Sequence, residues 1–137
     1  MQDPQYIEVR LLEKVLSDMF DSSKVFVCLY DTNKAQTIKK YSDKIIITDC
    51  QNAQIFLTDK HIPENSKPVF ALNDEILKTL KNAIGGLYWK KGRPQLIFLE
   101  DRLDKFNIKL PPEYKGFMIQ SKNLTFVLVQ YIVSIHT

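Results

Sequence analysis

Glycine is scarce: there are four in 137 residues, and three of them, Gly85, Gly86 and Gly92, fall within one stretch from Asn82 to Leu99. The turn after the first apolar run, Asp31-Thr32-Asn33-Lys34, has none. A dinucleotide site or a P-loop needs glycine at that turn so that backbone can close around phosphate, so both are excluded. Histidine is almost missing too. His61 and His136 stand far apart with no second ligand at a metal-site spacing, and no metal is expected. Cysteine is limited to Cys28 and Cys50, and Cys28 sits inside an apolar run, where a thiol packs rather than reacts. No run is long enough to span a bilayer; the longest, Leu124 to Ile135, reads as a buried strand. The start, Met1-Gln-Asp-Pro-Gln, lacks the basic and apolar segments of a signal peptide, as would a mature domain with an added methionine. Without a nucleophile, metal or oxyanion set, no catalytic residue and no cofactor are expected, and the chain reads as a non-enzyme.

What is present suits one globular domain over residues 1–137, with 45% hydrophobic and 26% charged residues. A net charge of +3 and a pI near 8.8 are mildly basic, too little to imply a nucleic-acid partner without a concentrated patch.

Periodicity orders the chain. Tyr6 to Phe20 carries Ile7, Leu11, Leu12, Val15, Leu16 and Met19 at helical spacing, separated by charged residues that include Glu8 and Glu13. Val25 to Tyr30 is apolar throughout and predicts a strand covered on both faces, taken as the central one. A helix from Lys34 to Tyr41, capped by Thr32 or Asn33, leads to a strand from Lys44 to Thr48, making a parallel βαβ unit. Strands follow at Ala53 to Thr58 and Pro68 to Leu72, and Asn73 caps a helix from Asp74 to Asn82. Leu87 to Trp89 and Gln95 to Leu99 flank Lys90-Lys91-Gly92-Arg93, which predicts a hairpin. Gly85-Gly86 permits close backbone approach just before it. Short helical turns are expected at Asp101 to Phe106 and near Glu113 to Tyr114. The fold class is therefore α/β: a single three-layer sandwich with a mostly parallel, Rossmann-like sheet and an antiparallel hairpin.

Three groups of residues are candidates for function. In parallel sheets ligands collect beyond the carboxyl ends of the strands, which puts Asp31, Thr32, Asn33 and Asn73 forward as ligand-binding residues; helix capping explains the same residue types. At the hairpin tip Tyr88 and Trp89 stand beside Lys90, Lys91 and Arg93, the composition from which interface hot spots are drawn. If Trp89 faces water, the patch suits an acidic protein surface or a small anion; if it faces inward, it is core. Cys28 and Cys50 lie close enough in the expected topology for a disulfide in an oxidising compartment, with two reduced thiols as the alternative.

Several of these segments resemble one family, the YfiR/HmsC-like periplasmic regulators. The likeness is carried by Lys24-Val-Phe-Val-Cys-Leu-Tyr30, the Cys50 turn before Ala53-Gln-Ile-Phe-Leu57, Val69-Phe-Ala-Leu72, Gly85-Gly86 with Leu96-Ile-Phe-Leu99, and Asp104 to Leu110, over roughly residues 24 to 119. The resemblance implies a small periplasmic α/β domain that represses a membrane-bound diguanylate cyclase. It also implies a stabilising Cys28–Cys50 disulfide, although Cys50 sits a few residues early and no second cysteine pair is present. The expected partner is thus a membrane-bound signalling protein or a small anionic ligand of a transport or sensory system, not nucleic acid, with self-association left open. A receiver-like or nucleic-acid-binding cytoplasmic domain is the alternative. Ile55 to Asp59, with Asp31 and Lys90, is similar to a receiver's phosphoacceptor strand and its partners, but no room for a helix lies between Asp59 and Asn73.

Overall fold

The longest element follows directly from the heptad-like spacing of its apolar residues. Helix α1 (Pro4–Phe20) opens on Asp3, whose carboxylate accepts from the Gln5 N–H, with Pro4 in the first turn where its missing N–H costs nothing. It stops at Asp21, in the left-handed region at φ 47°. Its stripe of Val9, Leu12, Val15, Leu16 and Met19 is buried, each side chain no more than 5% exposed. A computed structural model describes residues 3–30, 32–63 and 65–124, and of Thr32 the backbone alone.

Strand β1 (Val25–Leu29) pairs in parallel with β2 (Ile45–Ile47) on one side and with β3 (Ile55–Thr58) on the other. Beyond β3 come β4 (Val69–Ala71) and β5 (Ala83–Lys90), both parallel, then the antiparallel β6 (Arg93–Leu99), and finally β7 (Met118–Ile119) parallel to β6. The order is β2-β1-β3-β4-β5-β6-β7 in one seven-stranded sheet. Helix α2 (Ala35–Tyr41) links β1 to β2, and α3 (Asp74–Thr79) links β4 to β5. Helix α4 (Glu100–Lys105) follows β6 and precedes a 3-10 stretch, Pro112–Phe117. No helix lies among the described residues between β3 and β4.

Two cores make the sandwich. On one face α1 and α2 cover Val25, Val27, Ile55, Leu57, Phe70, Leu87 and Phe98. On the other, Ile76 and Leu77 of α3, with Ile62, cover Cys28, Phe56, Val69, Ala71 and Ile97. Successive residues of each strand serve opposite cores, as a pleated sheet requires. The exception is Ile84: Val69 faces Ala83 but Phe70 faces Gly85, so Ile84 is a bulge, buried among the α1-side residues.

Four sequence-based expectations are corrected. The central strand is β4, not β1; β1 is next to the edge, and Phe26, on the same face as Cys28 but outside the α3-side core, is 43% exposed. Helix α2 is entered through a 3-10 turn, Thr32–Lys34, and Lys34 stands at its N-cap without a side-chain bond, so neither Thr32 nor Asn33 is that cap. Gly85 and Gly86 lie inside β5 rather than ahead of it. Glu8 and Glu13 are 8% and 5% exposed, not on the solvent face of α1. The strand expected in the apolar C-terminal run lies outside the described residues beyond Leu124, as does Asp31. Among the described residues no helix is long and apolar enough to cross a membrane.

Candidate functional site

From β1 the chain turns toward β2, and from β3 it turns toward β4, so a crevice opens between the two carboxyl ends, the place where such sheets hold ligands. The first half of α1 roofs it. The resulting cleft has a volume of about 280 Å³, with Val9, Leu12 and Ile38 as its apolar lining and Gln5, Glu8, Asn33, Lys34, Thr37 and Asp59 as its polar lining. Glu8 is the one ionisable residue of the described lining that is less than a tenth exposed. Its carboxylate accepts from Lys34 Nζ at 3.2 Å, with the Glu8 side chain 10% exposed and that of Lys34 30%. A carboxylate that deep stays in place only with a cation against it.

The expected ligand residues divide. Asn33 lines the cleft. Asn73 is a cap: its Oδ1 accepts from the Ile76 N–H at 2.8 Å, and its Nδ2 donates to the Asp59 carbonyl at 2.6 Å, which pins the end of β3 to the start of α3. Asp31 lies outside the described residues, and the Thr32 side chain is not among them. Sequence reasoning missed Glu8 and Lys34. The signal for Glu8 was there: positions 8, 12, 15 and 19 share one helical stripe, so Glu8 belongs with Leu12, Val15 and Met19.

At the hairpin, Lys91 and Gly92 take φ 50° and 74°, the two left-handed positions of a tight two-residue turn, between the paired Lys90 and Arg93. Lys91 and Arg93 are exposed, while Trp89 and Lys90 are half-buried. Tyr88 is 7% exposed and belongs to the α3-side core, which removes it from the tip surface and corrects the reading of an unbroken aromatic–cationic patch. Trp89 pairs with Pro94, and alternation puts these two on the opposite face from Lys90 and Arg93. Among the described residues no cluster of three His, Cys, Asp or Glu could hold a metal ion.

No protein-family model matches the chain, and no curated protein matches it.

Cys28 and Cys50 are joined in a disulfide with their Cα atoms 4.8 Å apart, tying β1 to the turn that leads into β3. The same turn is held from the other side. Lys67 Nζ donates to the carbonyls of Cys50, Gln51 and Ala53 at 2.8, 2.6 and 2.7 Å. Asp49 accepts from both the backbone and the side chain of Asn52, which lowers its pKa.

Proposed function

We propose that the chain is a non-enzymatic binding and regulatory domain of the periplasm, acting on a membrane-bound signalling protein in the manner of the YfiR/HmsC-like regulators it resembles. The Cys28–Cys50 disulfide carries this reading, because such bonds persist in oxidising compartments and are removed in reducing ones. It also occupies both sulfurs, so neither is a thiolate nucleophile. The exposed Lys91 and Arg93 at a tight, well-defined turn support the hairpin tip as the contact for an acidic protein surface.

A second reading is favoured by the cleft: a small-ligand-binding domain of a transport or sensory system. Its described lining sets the Glu8–Lys34 ion pair, Gln5, Asn33 and Thr37 beside the apolar Val9, Leu12 and Ile38.

The test is co-expression of the exported domain with a membrane-bound diguanylate cyclase from the same genome, reading cyclic dinucleotide output. Output falls with the native domain and recovers when Lys90, Lys91 and Arg93 are all replaced by glutamate. An unchanged output with the native domain refutes the regulatory reading.

A further inference from the structure

We infer that the tip of the β5–β6 hairpin docks a short acidic segment of the membrane-bound partner, one in which carboxylates flank an apolar side chain, and that Trp89 is the apolar anchor. The inference rests on the regulatory reading above and names the chemistry of its contact.

The far half of the hairpin stands clear of the sheet. Pairing of β4 with β5 ends at Gly86, and pairing of β7 with β6 begins at Phe98. Among the described residues, the pairs from Leu87–Leu96 to Lys90–Arg93 therefore have no strand on either side. Leu87 and Leu96 still pack on the α1-side core. Trp89 and Pro94, one step further along the same face, do not: Trp89 belongs to neither core, nor to the half-buried residues packed against one. Its indole N–H has no acceptor among the described residues. The chain's one tryptophan is thus held beside a tight, protruding turn with no part in either core, and tryptophan so placed is the residue type most enriched among interface anchors.

Charge decides the sign of what lies against it. No aspartate or glutamate occurs between Asn82 and Leu99. Lys91 and Arg93 are exposed, and neither forms an ion pair among the described residues. Tyr88 and Lys90 have partners of their own and take no part. Lys91 stands at the apex, between the face of Trp89 and Pro94 and the face of Arg93, so a segment laid across the turn meets an ammonium, a guanidinium and an indole N–H. All three donate to carboxylates, and the guanidinium can do so through two parallel bonds. Two cations are too few for a lipid surface, where polybasic contacts use clusters of about four to eight.

The experiment titrates the full chain with three short peptides, alternating aspartate–leucine, aspartate–serine and lysine–leucine, and with vesicles of anionic phospholipid. Emission from Trp89 reports the tip directly, and the amide resonances of Lys91, Gly92 and Arg93 follow variants that lack the indole. The aspartate–leucine peptide is expected to move the emission to shorter wavelength saturably, with binding weakened severalfold as ionic strength rises. The aspartate–serine peptide binds about tenfold or more weakly, and the lysine–leucine peptide and the vesicles leave the emission unmoved. Trp89→Ala weakens binding about tenfold or more. Lys91→Glu combined with Arg93→Glu abolishes it at an unchanged unfolding midpoint, which keeps the test open should the Trp89 variant fold poorly. A shift with vesicles and none with the aspartate–leucine peptide overturns the inference and makes the tip a membrane contact. Equal binding of the two acidic peptides overturns the anchor role of Trp89. No saturable binding of either acidic peptide, in a domain that still lowers cyclase output, overturns the inference while the regulatory reading stands.

Discussion

The ring of Phe98 lies across Gly85: a Cβ built on that glycine would stand 2.8 Å from Phe98 Cδ1 and 2.6 Å from the carbonyl oxygen of Ile97. The two residues are directly opposite in the β5–β6 pairing, and Phe98 is fully buried. The hairpin therefore packs into the α1-side core only because one strand has no side chain at this position. Gly85→Ala is expected to destabilise the fold by about 2–3 kcal/mol through overpacking against backbone, read as a lower urea midpoint. Gly116→Ala, with nothing within 4 Å of its Cβ position, is the control and stays within about 0.5 kcal/mol.

Reduction of Cys28–Cys50 opens a loop closed over a sequence separation of 22 residues. Loss of that constraint on the unfolded chain is worth about 3 kcal/mol. Urea unfolding with and without reductant measures the difference, and thiol titration of the denatured, unreduced protein finds no free thiol.

Lys67→Met leaves the carbonyls of Cys50, Gln51 and Ala53 without their shared donor. The expected cost is about 1–3 kcal/mol, since hydrogen bonds to a charged group are the stronger kind. Amide exchange should quicken first at residues 50–53, ahead of the sheet.

Tyr114 donates to Asp18 Oδ2 at 2.5 Å, and Lys14 Nζ donates to the same oxygen at 3.0 Å, fastening the Pro112–Phe117 stretch to α1. Burial first, then the Asp18 hydrogen bond, push the Tyr114 hydroxyl up to about 12 from 10.0. An acid whose folded pKa is raised adds stability that is full below pH 10.0 and is lost as pH climbs toward 12. Tyr114→Phe should cost about 1–2 kcal/mol at neutral pH and flatten that alkaline fall in a pH series of unfolding midpoints. Asp18 shifts the other way, held low chiefly by the Tyr114 hydroxyl, so its contribution is present above the ordinary carboxylate range and fades as pH drops through its lowered value.

Replacing Lys91 and Arg93 with glutamate should leave the unfolding midpoint close to that of the native chain, because both project from the tip and neither lies in a core. Loss of cyclase repression without loss of stability would place the contact at the tip. A fall in stability would show these two cations to be structural.

Local chemistry was legible wherever a residue answered to its immediate neighbours. Asn73 read as a cap because a short polar side chain before a helical pattern has one nearby N–H to satisfy, and it accepts from Ile76 as expected. Gly92 read as a turn because the left-handed region was needed between two strand-like arms. β7 went unseen: two residues, Met118 and Ile119, carry no detectable alternation, and only the neighbouring edge of β6 makes them a strand. Phe26 read as core because an apolar run cannot say whether a helix covers each side of the sheet.

The candidate cleft was half legible. Its place at the strand ends followed from the βαβ order, and Asn33 was among the residues put there. Its charges were not, since Glu8 and Lys34 stand 26 positions apart and meet only when α1 crosses the start of α2.

Taken alone, the order of apolar and polar residues determined the alternation of helices and strands and a hairpin turning near Gly92, because those depend on backbone geometry within a few residues, and it determined parallel pairing through the length of the crossover between strands. Tertiary packing decided which strand lies at the centre, that Tyr88 is core and that a glutamate and a lysine far apart in the chain share one cleft. The physical reason is that burial and charge pairing are properties of surfaces brought together, and no single segment contains both surfaces.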